Sequence, residues 1–282
     1  MKKYLSTNSK FLLNTTACAV AGYRSRINGF SRNARLFLAY VFLTTLNLGI
    51  YSVIFNLYIL RLGFKEDFLG LILSIVSIST GLFAIPAAMI CDRIGRKKTL
   101  LLSCLLLSVS LIFLYTTSST VLLAFFSVLF GAASALNVVT GSTFLVENSV
   151  SSERMHLFSM HSILYTLALM IGNFVGGNLP KVLINSFAFD PAGPEAYQLS
   201  LHLSLCAVFL SFLPLLSIQD RKTDCRGNPD YLFTFLSLSR SILVRKMILV
   251  YALIGMGWGL ALPYFNVYFD VVLKTSSDQI GS

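Results

Sequence analysis

Charge is scarce along most of this chain, yet seven consecutive residues hold a dense cluster of it: Asp92-Arg93-Ile94-Gly95-Arg96-Lys97-Lys98. One acid and four bases around a glycine suit ion pairing and a tight chain reversal rather than bond breaking. Gly95 permits the reversal, and Asp92, ending an apolar run, would seek a cation or a helix N-terminus. A second pair of charges, Glu147 and Arg154, brackets Asn148–Glu153. The other chemistry-bearing groups are uncharged and sit inside apolar runs: Asn47, Tyr51, Asn56, Asn137, His161, Asn173, His202 and Asn266. Polar groups in such runs are costly and default to functional candidates. Asn47, Tyr51 and Asn137, near mid-run, and Asn266 are candidates for binding a solute, with interhelical hydrogen bonding as the plainer alternative. His161 could carry a proton near neutral pH, or be a packed neutral histidine.

What is missing narrows the chemistry further. No Asp, Glu, Lys or Arg lies deep in any apolar run, so this part of the chain holds neither a carboxylate for proton coupling or cationic solutes nor a buried arginine for anions. GxSxG, HExxH and paired mid-run carboxylates are absent, which argues against an intramembrane enzyme. The five cysteines, Cys18, Cys91, Cys104, Cys206 and Cys225, form no CxxC pair, so no metal site is indicated and no cofactor is expected.

The elements that must position these residues follow from composition. Of 282 residues, 55% are hydrophobic and 12% charged, about half the charge of a soluble domain. Hydropathy delimits seven runs: Leu36–Leu60, Phe68–Cys91, Thr99–Thr117, Thr120–Val146, Leu157–Pro180, Leu199–Ile218 and Met247–Leu273. Each is near the ~20 residues that cross a ~30 Å hydrocarbon core as a helix. Strands are excluded because open edges leave backbone groups unpaired in lipid and the runs lack barrel alternation. Eighteen of the 22 Lys and Arg residues fall on one side of the implied topology and four on the other, so the N-terminus is expected in the cytoplasm. The same distribution accounts for the net charge of +10 without a nucleic-acid partner. Phe11–Tyr23 is a weak signal-peptide candidate, followed by a basic run that opposes export; a cytoplasmic tail is the preferred reading.

This gives a tail over residues 1–35, six helices over 36–218, a cytoplasmic link over 219–246 with a turn signal at Gly227-Asn228-Pro229, and a seventh helix within 247–282. Phe55-Asn56-Leu57-Tyr58 and Phe265-Asn266-Val267-Tyr268 end the first and seventh runs alike. The seventh therefore reads as a second copy of the first, opening another unit.

The segment Ala88 to Lys98 resembles the signature loop of the major facilitator superfamily, with Asp92, Arg93, Gly95, Arg96 and Lys97 on the pattern and Ala88 in place of its first glycine. Glu147 and Arg154 look like the charges of that family's fourth-to-fifth connection. Ala168-x-x-x-Gly172-Asn173-x-x-Gly176-Gly177 is similar to its antiporter motif, with Asn173 for proline; small residues at this spacing favour close helix packing.

The resemblance implies an all-α membrane protein: a six-helix N-terminal bundle plus one further transmembrane helix, about seven spans. It implies that Asp92, Arg93, Gly95, Arg96, Lys97, Glu147 and Arg154 form a gating network, and that the first, fourth and seventh helices line a solute cavity. The expected function is secondary transport of a small solute by alternating access, in the cell membrane. The alternative is a truncated or split half that is inactive alone or needs a missing C-terminal half. A seven-helix receptor or light-driven pump is disfavoured by the inside N-terminus and by Lys274 lying beyond its span.

Overall fold

A computed structural model describes residues 30–187, 189–191, 193–219 and 241–272, and within the last segment only part of the side chains. The signal-peptide candidate and most of the 219–246 link lie outside the described residues. Among the described residues every regular element is a helix: α1 (Arg32–Arg61), α2 (Glu66–Ile94), α3 (Arg96–Thr116), α4 (Thr120–Glu147), α5 (Arg154–Phe187), α6 (Glu195–Ser217) and α7 (Ile242–Val271). Helices α1 to α6 are long and apolar enough to cross a membrane, and α7 adds a further 30-residue helix. The chain is a multi-pass, all-helical membrane protein.

The helices outrun the apolar runs because backbone hydrogen bonding continues past the point where charged side chains begin. α1 starts at Arg32, where the Ser31 hydroxyl accepts from the Ala34 amide at 3.2 Å, satisfying one of the orphan donors at a helix start. α2 begins with Glu66 and Asp67 in its first turn, where acids complement the helix dipole. α5 continues through Pro180 to Phe187, since neighbouring helices re-satisfy backbone groups that proline frees in a membrane helix. α7 begins at Ile242, five residues before Met247.

The connections are short. Gly63 takes φ +91° in the α1–α2 turn. α2 and α3 are joined by a single residue, Gly95, at φ +89° and ψ 158°, a region essentially reserved for glycine. Three residues separate α3 from α4.

Packing follows a plan that repeats. α1 lies against α5 and α6, α4 lies against α2 and α3, and α3 meets α6. Exchanging α1 with α4, α2 with α5 and α3 with α6 leaves these pairings unchanged, so the six helices form two three-helix units related by a pseudo-two-fold. The correspondence reaches single residues. A Cβ on Gly49 of α1 would lie 2.7 Å from the Leu169 carbonyl oxygen, 2.8 Å from Gly172 Cα and 2.9 Å from the Asn173 nitrogen of α5. A Cβ on Gly131 of α4 would lie 2.6 Å from Ser79 Cβ, 2.7 Å from the Val76 carbonyl oxygen and 3.1 Å from the Thr80 nitrogen of α2. Residues 169, 172 and 173 thus match 76, 79 and 80. Small residues let the backbones approach, which supplies dispersion energy where lipid removes the hydrophobic drive. The outward faces are apolar: Leu82 is 70% and Phe125 60% exposed, as suits a surface solvated by acyl chains.

Candidate functional site

The one-residue reversal at Gly95 sets Arg96 beside the end of its own preceding helix. Arg96 Nη1 donates to Asp92 Oδ1 at 2.6 Å and to the Cys91 carbonyl at 3.1 Å. Its Nε and Nη2 donate to Glu147 Oε1 at 2.9 and 2.8 Å. One guanidinium therefore binds a backbone carbonyl and an acid at the end of α2 and an acid at the end of α4, using the planar fork of donors that lysine lacks. It also sets a positive charge on the last carbonyls of α2, favourable for the helix dipole. The Arg96 side chain is only 18% exposed, so the pairing is less screened than a surface ion pair.

The other charged residues of the expected network are placed differently. Arg93 is exposed and Lys97 half-buried, and neither makes an ion pair among the described residues. Arg154 donates to the Ser149 hydroxyl at 3.3 Å and the Val146 carbonyl at 3.4 Å. It closes the α4–α5 turn and stays apart from the Asp92–Arg96–Glu147 cluster. Sequence reasoning missed a neighbouring clasp. Asn33 Nδ2 donates to Asn148 Oδ1 at 3.2 Å and to the Gln219 carbonyl at 2.9 Å, and its Oδ1 accepts from the Gln219 amide at 3.1 Å. This ties the ends of α1, α4 and α6 together.

Towards mid-bundle, α1, α3, α4 and α5 enclose a cavity of about 410 Å³. Asn47, Tyr51, Asn137 and His161 all line it, which brings four sequence-selected residues from three helices to one place. Their roles differ. Asn137 Nδ2 donates to the Tyr40 hydroxyl, leaving its Oδ1 as an acceptor. Asn47 is 3% exposed and its Nδ2 donates to Ser204 Oγ at 2.8 Å, so it joins α1 to α6 as well as bordering the cavity. Tyr51 stacks on Phe55 with centroids 4.5 Å apart and lies 5.3 Å from Phe130, forming an aromatic wall. His161 lies parallel to Phe37, 6.3 Å between centroids, and 6.4 Å from Tyr165. Its ring nitrogens have no hydrogen-bond partner among the described residues, so they are available to a solute. Among the described lining residues there is no acid, lysine or arginine. The cavity offers amide, hydroxyl and imidazole groups set in an apolar wall, a combination that orients a small molecule.

Two further polar candidates, His202 and Asn173, are structural. His202 Nδ1 contacts the Gln198 carbonyl at 2.8 Å, and its ring meets Tyr115 edge-on. With its amide oriented to satisfy its neighbours, Asn173 Nδ2 donates to Gly49 O and Ser52 Oγ at 3.0 Å and to Leu169 O at 3.3 Å. Thr80 Oγ1 lies 2.8 Å from Val76 O and 3.2 Å from Gly131 O, the same arrangement in the other three-helix unit. The side chain of Asn266 lies outside the described residues. Tyr40, Ser204 and Thr80 went unselected because serine, threonine and tyrosine recur throughout apolar helices, usually satisfying themselves locally.

The chain is similar to the efflux pump azaK of Aspergillus niger, 34% identical over 110 residues, covering 39% of this chain and 23% of the pump. It is also similar to the uncharacterized membrane protein YJR124C of Saccharomyces cerevisiae, 24% identical over 154 residues, 52% of this chain and 34% of that protein. In fold it matches a bacterial homologue of the human lysosomal transporter Spinster in an inward-facing conformation, with TM-score 0.67 and 16% identity, over 89% of this chain and 58% of that one. The chain thus spans less than two thirds of the length of each of these proteins. The family model of the Major Facilitator Superfamily matches residues 37–281, and with a six-helix bundle, a charged hairpin at Gly95 and a mid-bundle cavity the chain belongs to that superfamily of membrane transporters.

Proposed function

We propose that this chain supplies the solute-binding N-terminal bundle of a secondary transporter that works by alternating access, two bundles rocking about a midplane site. The observation that carries this reading is the convergence of Asn47, Tyr51, Asn137 and His161 on one mid-bundle cavity. Asn137 and His161 are the residues that hydrogen-bond the solute, Tyr51 packs against it, and Asn47 holds α1 against α6. The Asp92–Arg96–Glu147 cluster closes the cytoplasmic side and must open when the cavity faces inward. Orientation rests on the basic residues gathered at the Gly95 end, which set that end in the cytoplasm of a cell membrane. With no charged side chain on the described wall, an uncharged solute fits this bundle. The partial likeness to an efflux pump makes outward movement the first direction to assay.

A second reading has its own support: the chain spans 58% of the solved transporter it matches. On that reading the bundle acts only with a complementary second one. The test is reconstitution into proteoliposomes, alone and co-expressed with the C-terminal bundle of a related transporter, with solute movement followed for the wild type and for Asn137→Ala. Movement that falls about tenfold in the variant, near the cost of one lost solute hydrogen bond, supports the site. Movement by the chain alone defeats the split-half reading. No movement in either arrangement, from a bundle shown to be folded, overturns the proposal.

A further inference from the structure

The face of α4 turned away from the solute cavity borders a second cavity. It measures about 260 Å³ and is lined by apolar side chains of α2, α3 and α4, among them Phe83, Ala87, Ile90, Leu102, Phe125 and Ala132. Phe125 and Phe83 are 60% and 39% exposed, so the cavity opens sideways as a groove on the bundle's outer surface. Along α4 it runs from Phe125 to Leu136, across the middle of that helix, and its lining on α2 and α3 continues to Ile90 and Leu102 towards the Gly95 end. From Leu136 to the end of α4 at Glu147 is a rise of about 16 Å, close to half of the ~30 Å hydrocarbon core, so an acyl chain anchored at the Gly95 end reaches the α4 floor.

Its end nearest Gly95 carries charge of one sign. Arg93 lies three residues past Ile90 on α2, and Lys98 four residues before Leu102 on α3; both spacings keep the basic residue on the groove-facing side of its helix. Both are exposed and unpaired among the described residues, because the nearby acids Asp92 and Glu147 are taken up by Arg96. An apolar slot within one leaflet's reach of two cations that are unpaired among the described residues complements a molecule with an apolar tail and an anionic head.

We propose that this groove binds an anionic phospholipid of the cytoplasmic leaflet, one acyl chain lying between α2 and α3 on the α4 floor and its phosphate held by Arg93 and Lys98. The lipid bridges the two helices joined at Gly95 and does not enter the solute cavity, from which α4 separates it.

The test is native mass spectrometry of the full chain extracted from bilayers holding equal amounts of phosphatidylglycerol and phosphatidylcholine. The wild type is expected to retain one phosphatidylglycerol in preference to phosphatidylcholine. The double variant Arg93→Gln/Lys98→Gln should lose that preference about tenfold or more, each basic group near an anionic surface being worth about fivefold. Ala132→Phe, which fills the groove floor and leaves both charges in place, should lower retention of either lipid. Lys246→Gln, an exposed base on α7, should leave retention unchanged. The proposal is overturned if the wild type retains no lipid selectively, if neither groove variant alters retention, or if Lys246→Gln lowers it as much as the double variant does.

Discussion

Where α5 crosses α1, Gly172 and Gly176 bring two backbones into contact over more than a turn: a Cβ on Gly176 would lie 3.0 Å from Ile50 Cα. At the equivalent places in α2, where it crosses α4, stand Ser79 and Phe83. The first turn of contact is nearly the same in both, down to the side-chain hydrogen bond that closes it, from Asn173 to Gly49 O on one side and from Thr80 to Gly131 O on the other. One turn later they diverge. α5 stays tight, whereas α2 swings its Phe83 outward and leaves the apolar groove. The pseudo-two-fold fixes where helices cross, and the residue one turn beyond decides whether a seam closes or opens.

Swapping the divergent residues breaks the comparison most severely. Gly176→Phe should abolish the folded bundle, since a ring at that site meets backbone and overpacking of even a few methylenes costs about 1–3 kcal/mol. Phe83→Ala, at the equivalent and partly exposed place, should shift stability by less than about 1 kcal/mol. Thermal melting of the purified protein in detergent reads both, and equal effects would refute the asymmetry.

Gly49→Ala and Gly131→Ala should each destabilise by roughly 2 kcal/mol, Gly49 the more. All three of its nearest neighbours are backbone atoms, whereas the closest to Gly131 is the Ser79 side chain.

The ion cluster at the α2–α3 link sharpens the comparison from the end of the bundle. Arg96→Gln should cost about 1–2 kcal/mol, two partly exposed acids losing a charged donor. It should also raise the rate at which a membrane-permeant thiol reagent modifies Cys91, which is 2% exposed in the intact cluster. An unchanged rate would mean that the cluster does not hold the end of α2 closed. The smallest effects belong to the matched clasps: Asn173→Ala and Thr80→Val should each lose about 1 kcal/mol, and by similar amounts if the equivalence is energetic as well as geometric.

Much of the frame was readable from the chain alone, because apolar runs near 20 residues leave a helix little choice in lipid. The six described spans, the Gly95 reversal and the superfamily came from such runs and from one charged motif. Which helices touch was not readable. Gly49 and Gly131 govern the crossings by having no side chain, and a glycine in an apolar run looks the same whether it faces a partner or lipid. Pairing within the charged motif was half legible. Glu147 and Arg154 were both assigned to one network by resemblance, and nothing in the spacing distinguished them: Glu147 pairs with Arg96, whereas Arg154 turns to its own loop. Asn47, Asn137 and His161 stood out because amides and imidazoles are rare in such runs, whereas Tyr40 and Ser204, which position the two asparagines, did not.

The single residue between α2 and α3 also has a mechanical meaning. A joint of one residue carries no slack, so a tilt of either helix becomes a tilt of the other, and the pair behaves as one bent lever with its fulcrum at Gly95. The α5–α6 connection is seven residues long, 188 to 194, so no single joint couples those two helices. Force applied at the charged end would thus be passed along α2 and α3 and damped along α5 and α6. The two halves of a nearly symmetric bundle would then answer the same push with strokes of different length.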